Sequence, residues 1–130
     1  MKKTLFDLIS RYILPSAKRL LVEILYSNGL NKTEIAMKLH MSPSTISRYL
    51  KRERGATIPL ESDTFIYESI KKLAWDIISG EKNHYEVEEE LARIILRGMS
   101  RKIFCRYHKM MDEEIDIVNC RICTNLFSNL

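Results

Sequence analysis

The chain has 130 residues, of which 45% are apolar and 29% charged, and its formal net charge is +4. This composition can bury a core as one compact domain or as two small domains in contact. No apolar run approaches the roughly 18 residues needed to cross a bilayer, and Asp7 and Arg11 interrupt the N-terminal apolar stretch, which makes it a poor signal peptide. We therefore expect a cytoplasmic protein without a membrane partner.

The charge is divided unevenly along the chain. Residues 1 to 58 carry 11 Lys and Arg against 4 Asp and Glu, a net of +7, whereas residues 59 to 130 carry 10 against 13, a net of −3. A basic segment attracts phosphate backbones by releasing their counterions, and an acidic segment does not. We expect nucleic acid to contact the first half only.

Two helices are predicted at the start of the chain. Helical spacing of apolar residues predicts the first, which Pro15 ends or kinks. The second is predicted from about Ser16 to Asn28, with Gly29 as its left-handed stop. Lys18 and Arg19 are expected on its exposed side, where they either contact a DNA backbone or are only solvated.

Residues 31 to 54 carry the pattern of two short helices joined by a tight turn. Asn31 and Glu34 are spaced as a capping box for the first helix, and Ser42 is a good N-cap for the second, which starts at Pro43. His40 occupies the turn, where a residue with positive φ is expected. The second helix is predicted to bury one apolar face, formed by Ile46, Tyr49 and Leu50.

The opposite face of this second helix is small, polar and basic. Small hydroxyl residues admit close approach to a DNA groove, and an arginine can pair bidentately with a guanine edge. The alternative is an ordinary helical hairpin with a solvated polar face. Base contacts are predicted from Ser44, Thr45 and Arg48, and phosphate contacts from Ser42, Ser47, Lys51 and Arg52.

The same stretch is accompanied by three short motifs and by a tail that bears cysteine and histidine. The motifs are Leu14-Pro15, Tyr49-Leu50 and Arg54-Gly55. The stretch resembles the helix-turn-helix of the Cro and phage-repressor superfamily (XRE type), and most of the chain, strongly over residues 13 to 55 and more loosely beyond, is similar to a group of small archaeal predicted transcriptional regulators. That resemblance implies an all-α regulator that binds double-stranded DNA. His40 departs from the usual glycine of the turn, and the tail lacks a further cysteine pair that the group often carries.

An extended connector is predicted after Gly55, because Pro59 disfavours helix at Ile58. It divides the chain into a helix-turn-helix DNA-binding domain, residues 1–58, and a helical dimerisation and metal-binding domain, residues 59–130. The latter is predicted to hold one helix capped by Ser62 or Asp63 and another continuing past Gly98 through Phe104. The protein is expected to be a homodimer that pairs through either residues 64 to 79 or the tail. The alternative for the apolar stripe of residues 64 to 79 is that it belongs to the core of its own chain.

All three cysteines lie in the tail, as Cys105-x-x-His108 and Cys120-x-x-Cys123. Together the four side chains supply the ligands of a tetrahedral Cys3His zinc site. An iron–sulfur cluster that senses redox state is the alternative cofactor. A redox-active or disulfide-bonded Cys120–Cys123 pair, or free thiols, are the other possibilities.

The sequence thus predicts an all-α transcriptional regulator without enzymatic activity, in which a helix-turn-helix domain precedes a small helical domain with a Cys3His metal knuckle. A redox-active Cys-x-x-Cys protein is one alternative, although no nucleophile–base pair, glycine-rich loop or thioredoxin-like pattern accompanies the cysteines. A helical interaction adaptor that does not bind DNA is the other.

Overall fold

The computed structural model describes residues 3–130 and is helical throughout, which confirms the predicted all-α class; Met1 and Lys2, the start of the predicted DNA-binding domain, lie outside the described residues. Within that range no helix is long and apolar enough to cross a bilayer. The helices are α1 (Leu5–Leu8), α2 (Leu14–Ser27), α3 (Lys32–Leu39), α4 (Pro43–Leu50), α5 (Thr64–Ile78), α6 (His84–Ser100), α7 (Cys105–Met111) and α8 (Ile122–Phe127).

The chain stays helical across Pro15. Helix α1 passes through a π-helical segment, Ile9–Ile13, directly into α2, and Pro15 lies in the first turn of α2. In a regular α-helix the proline ring would clash with the carbonyl four residues earlier, and a π-helical segment changes the local pitch at that place. The prediction that Pro15 could end the helix is wrong, because the chain changes its helical pitch instead.

Helix α2 is the centre of the molecule. Eight of its 14 residues are buried, and it packs against α3, α4, α5 and α6. Buried apolar residues from both sides of Pro59 belong to one core cluster. The two segments that we predicted as separate domains therefore share a core, and the boundary between them stays a prediction.

Helix α5 contributes its apolar stripe to this core. Asp63 caps the helix, since its carboxylate accepts the Ile66 N–H at 2.9 Å. Trp75 lies off the stripe and is 51% exposed. Of the two predictions for the stripe, the core is confirmed: its buried members are Ile66, Ile70, Leu73, Ala74 and Ile77.

Helix α6 ends earlier than predicted. It stops at Ser100, Lys102 takes a positive φ of 62°, and α7 begins at Cys105. The buried ring of Phe104 folds back onto Gly98, where an added Cβ would lie only 2.7 Å from a ring carbon. The predicted continuation through Phe104 is wrong: Lys102 leaves the helical region of φ, and the Phe104 ring packs on Gly98.

Candidate nucleic-acid interface and cysteine cluster

The local signals that predict α3 and α4 are all satisfied. The Asn31 side chain accepts the Glu34 N–H at 2.8 Å, and the Glu34 carboxylate accepts the Asn31 N–H at 3.2 Å. His40 is left-handed, with φ 53° and ψ 46°. The Ser42 hydroxyl then accepts the Thr45 N–H at 3.2 Å. These caps and the left-handed turn fix where α4 starts and the direction in which it runs.

Helix α4 is anchored by its apolar face. Ile46 and Tyr49 are 0% and 1% exposed, and Leu50 packs beside them against the core. Burial raises the pKa of the Tyr49 phenol, which the nearby charge of Arg54 opposes. With this face held against α2 and α3, the opposite face of α4 is turned outward.

The outward face holds the residues predicted to contact bases. Ser44 and Arg48 are exposed, and Thr45 is half-buried. The Ser42 hydroxyl lies 3.0 Å from that of Ser44 and 2.9 Å from that of Thr45, so the three hydroxyls form one polar cluster at the start of the helix. Of the predicted phosphate contacts, Ser42 and Lys51 are exposed and Ser47 is half-buried.

Two cations of this face have no partner within residues 3–130. Neither Arg48 nor Lys51 makes an ion pair or a side-chain hydrogen bond there, and both are exposed. Because neither side chain has to break a contact with the protein, its binding to a DNA groove or a phosphate costs little free energy. The geometry therefore leaves both side chains free for an outside ligand.

Arg52 is placed differently from the other predicted phosphate contacts. It is 53% exposed, but its Nε lies 3.1 Å from a Glu23 oxygen and its Nη2 lies 3.7 Å from a Glu61 oxygen. The hydrogen bond to Glu23 is the main reason that the pKa of Arg52 is raised. These carboxylates compete with any phosphate for the guanidinium.

Arg19 corrects the sequence prediction. It is 1% exposed, and its guanidinium donates to the Gly55 carbonyl at 2.7 Å and to a Glu61 oxygen at 2.8 Å. It also donates to the Ile58 carbonyl and pairs with Glu23. A buried charge needs partners on every side, and all of these except Glu23 lie 36 to 42 positions away in sequence. Arg19 is therefore not on an exposed side and is unavailable to DNA.

The three tail cysteines lie near one another as half-buried free thiols. Burial, and then the proximity of Cys105 and Cys120, raises the pKa of Cys123 to about 11. Burial also raises the pKa of Cys105, to which Cys120 adds and which Lys102 opposes. The fold therefore brings both sequence pairs into one cluster.

The fourth predicted ligand, His108, makes a hydrogen bond through one of its two ring nitrogens. It lines a small cavity with Cys105 and Cys123, but its Nε2 donates to the Lys3 carbonyl at 2.9 Å. Within residues 3–130 no three His, Cys, Asp or Glu side chains are arranged to hold a metal ion. The arrangement therefore gives no support to the predicted tetrahedral site, and zinc or an iron–sulfur cluster stays a prediction from the sequence.

Comparison of the chain with protein-family models, with curated proteins and with solved structures found no match. The function is therefore inferred from the chain's own residues and from their geometry.

Proposed function

We propose that the protein is a sequence-specific transcriptional regulator of double-stranded DNA, in which α3 and α4 form a helix-turn-helix and α4 enters the major groove. One observation carries the proposal: α4 is held by a buried apolar face and presents the exposed Arg48 beside a cluster of hydroxyls on the other. A recognition helix needs both faces: the buried face fixes its position, and the exposed face contacts the bases.

The exposed face divides into two kinds of contact. Ser44, Thr45 and Arg48 are proposed to meet base edges, with the arginine fork directed at a guanine. Ser42, Ser47 and Lys51 are proposed to fix the register on the phosphates. Arg52 contributes chiefly by holding the end of α4 to Glu23 and Glu61, since those carboxylates already engage it.

A homodimer belongs to the same proposal. Helix-turn-helix proteins commonly pair so that two recognition helices meet half-sites about one helical turn apart.

The net of +7 over residues 1 to 58 supports the approach of DNA to that half of each chain.

The redox alternative receives less support from the thiols. Redox-active cysteines have lowered pKa values, because the thiolate is the reacting species. Here the pKa values of Cys105 and Cys123 are raised by burial. The second alternative, an adaptor that does not bind DNA, is separated from a regulator by the following measurement.

The proposal predicts a salt-dependent affinity for DNA that depends on Lys51. Fluorescence anisotropy with a labelled mixed-sequence duplex should show log affinity falling linearly with log salt, and Lys51→Ala should lower the slope by about one unit. Lys71→Ala is the matched control, since Lys71 is exposed on α5. Equal slopes for both variants would remove α4 from the interface, and an absence of salt-dependent binding would favour the adaptor.

A further inference from the structure

A cleft of about 380 Å³ lies between α2, the turn after α3 and the first turns of α6. Its volume suits a small organic ligand, since pockets for such ligands begin at about 300 Å³. The proposed DNA contacts on α4 do not use it. Its floor is aliphatic and is formed by Leu14, Leu21, Leu39, Val87 and Leu91.

The rim of the cleft is more cationic than anionic. Lys18 of α2 and Lys38 of α3 line it, and neither makes an ion pair or a side-chain hydrogen bond within residues 3–130. Glu88 is the one carboxylate among the lining residues. An aliphatic floor under two unpaired ammonium groups is complementary to an apolar molecule that carries a single carboxylate.

The cleft also touches the turn that leads into α4. The His40 ring stacks on the His84 ring of α6, with centroids 3.9 Å apart and an interplanar angle of 24°. Both imidazoles line the cleft. Because His40 is the left-handed residue of the turn, a ligand here would contact the joint between α3 and α4 and its support on α6 at the same time.

We propose that this cleft binds a small apolar monocarboxylate, and that its occupancy alters the His40 turn and so the placement of α4. Lys18 and Lys38 would hold the carboxylate, and the aliphatic floor would hold the apolar body. The regulatory half of this inference rests on the proposed DNA-binding function, whereas the binding half does not.

Binding is tested on the full chain by NMR of the imidazole signals during titration with hexanoate and with hexanol. The His40 and His84 signals should shift saturably, while His108, which lines a different cavity, serves as the internal control. Hexanol, which lacks the charge, should bind about tenfold more weakly. No saturable shift would overturn the site, and equal affinity for the two probes would overturn its preference for a carboxylate.

Three variants test the charge of the occupant. The double variant Lys18→Met, Lys38→Met keeps two long apolar stems and should weaken hexanoate about tenfold without changing the affinity for hexanol. The control Lys71→Met should change neither. Glu88→Gln should tighten hexanoate binding, because it removes the one like charge among the lining residues. Weaker hexanoate binding would show that Glu88 does not repel the bound carboxylate, and the assignment of the carboxylate to this rim would be wrong.

The regulatory half is tested by DNA affinity with and without saturating hexanoate. Coupling between sites is typically about fivefold or more, so a change of about that size is expected. Unchanged DNA affinity in protein that does bind hexanoate would overturn regulation and leave the site. DNA binding without hexanoate binding would overturn the inference alone, and hexanoate binding without any DNA affinity would remove the proposed function while the site remained.

Discussion

Arg19 shows how one residue can tie a connector to a core. Its guanidinium is satisfied by carbonyls of the connector, at Gly55 and Ile58, and by the carboxylates of Glu23 and Glu61. Removing one partner of a buried ion pair leaves the other charge without compensation, which typically costs about 3–5 kcal/mol. The connector after α4 is therefore tied to α2 through one buried side chain.

This arrangement predicts a particular loss of stability in acid. Burial would raise the pKa of Glu61, but hydrogen bonds from Arg19 and from its own backbone N–H, with the charges of Arg19 and Arg52, outweigh it and the net shift is downward. A carboxyl group with a lowered folded-state pKa contributes stability that is present above its unfolded pKa, about 4.3, and is lost as the pH falls through the folded value. Urea unfolding across this range should show Glu61→Gln losing less stability with falling pH than the wild type.

Other carboxylates titrate in the same range, so the control decides the result. Glu68→Gln removes an exposed carboxylate that has no ion pair within residues 3–130. Its pH dependence should follow the wild type. If both variants flatten the acid limb equally, the effect belongs to net charge and not to the Arg19 pair.

The connector after α4 passes very close to α2 at Gly55. Gly55 has a φ of 74°, and a Cβ placed there would lie 2.3 Å from the Pro15 carbonyl oxygen and 2.9 Å from the Arg19 Cβ. No side chain fits between the connector and α2 at this point. The close approach is also what brings the Gly55 carbonyl within reach of the Arg19 guanidinium.

Gly55→Ala should therefore destabilise the protein more than Gly80→Ala. Gly80 has nearly the same φ, 76°, but a Cβ added there would have no atom within 4 Å. Both substitutions carry the left-handed cost of roughly 1–2 kcal/mol, and Gly55→Ala should add about 1–3 kcal/mol of overpacking. Urea unfolding of the two variants measures the difference, and equal stabilities would show that the connector does not pack as described.

The elements that the sequence predicts well are those fixed by neighbouring residues. The capping box at Asn31, the turn at His40 and the cap at Ser42 depend on hydrogen bonds and backbone angles within a few positions, and all three are confirmed. The predicted end of α6 is wrong, because the true end depends on the packing of Phe104 onto Gly98. Local chemistry is visible in a sequence, whereas packing partners are not.

The same distinction applies to the candidate sites. The outward face of α4 follows from helical spacing, so its hydroxyls and Arg48 are visible in the sequence. The role of Arg19 is not visible in the sequence, since most of its partners lie 36 to 42 positions away. The role of His84 is not visible either, because the ring on which it stacks belongs to a separate element. In the tail, the spacing of the cysteines predicts that they cluster, but it cannot show that His108 donates to the Lys3 carbonyl.

Helix α4, the proposed recognition helix, is connected to the rest of the molecule through α2. Helix α2 packs against α3 and α4 and also against α5 and α6. Buried residues from both halves of the chain form one cluster, although the halves carry opposite net charge. A change at α6 can therefore reach α4 through packed contacts, and the proposed DNA partner would approach the basic half.

Selection of bound duplexes from a randomised pool tests whether α4 reads DNA sequence. The selection is made with the wild type and with Arg48→Ala. The wild type should enrich one motif, repeated at half-sites about one helical turn apart. Arg48→Ala should bind that motif about 1–3 kcal/mol more weakly and lose preference at one base position, whereas Arg121→Ala, an exposed arginine of the tail, should do neither. An unchanged motif and affinity for Arg48→Ala would contradict the account.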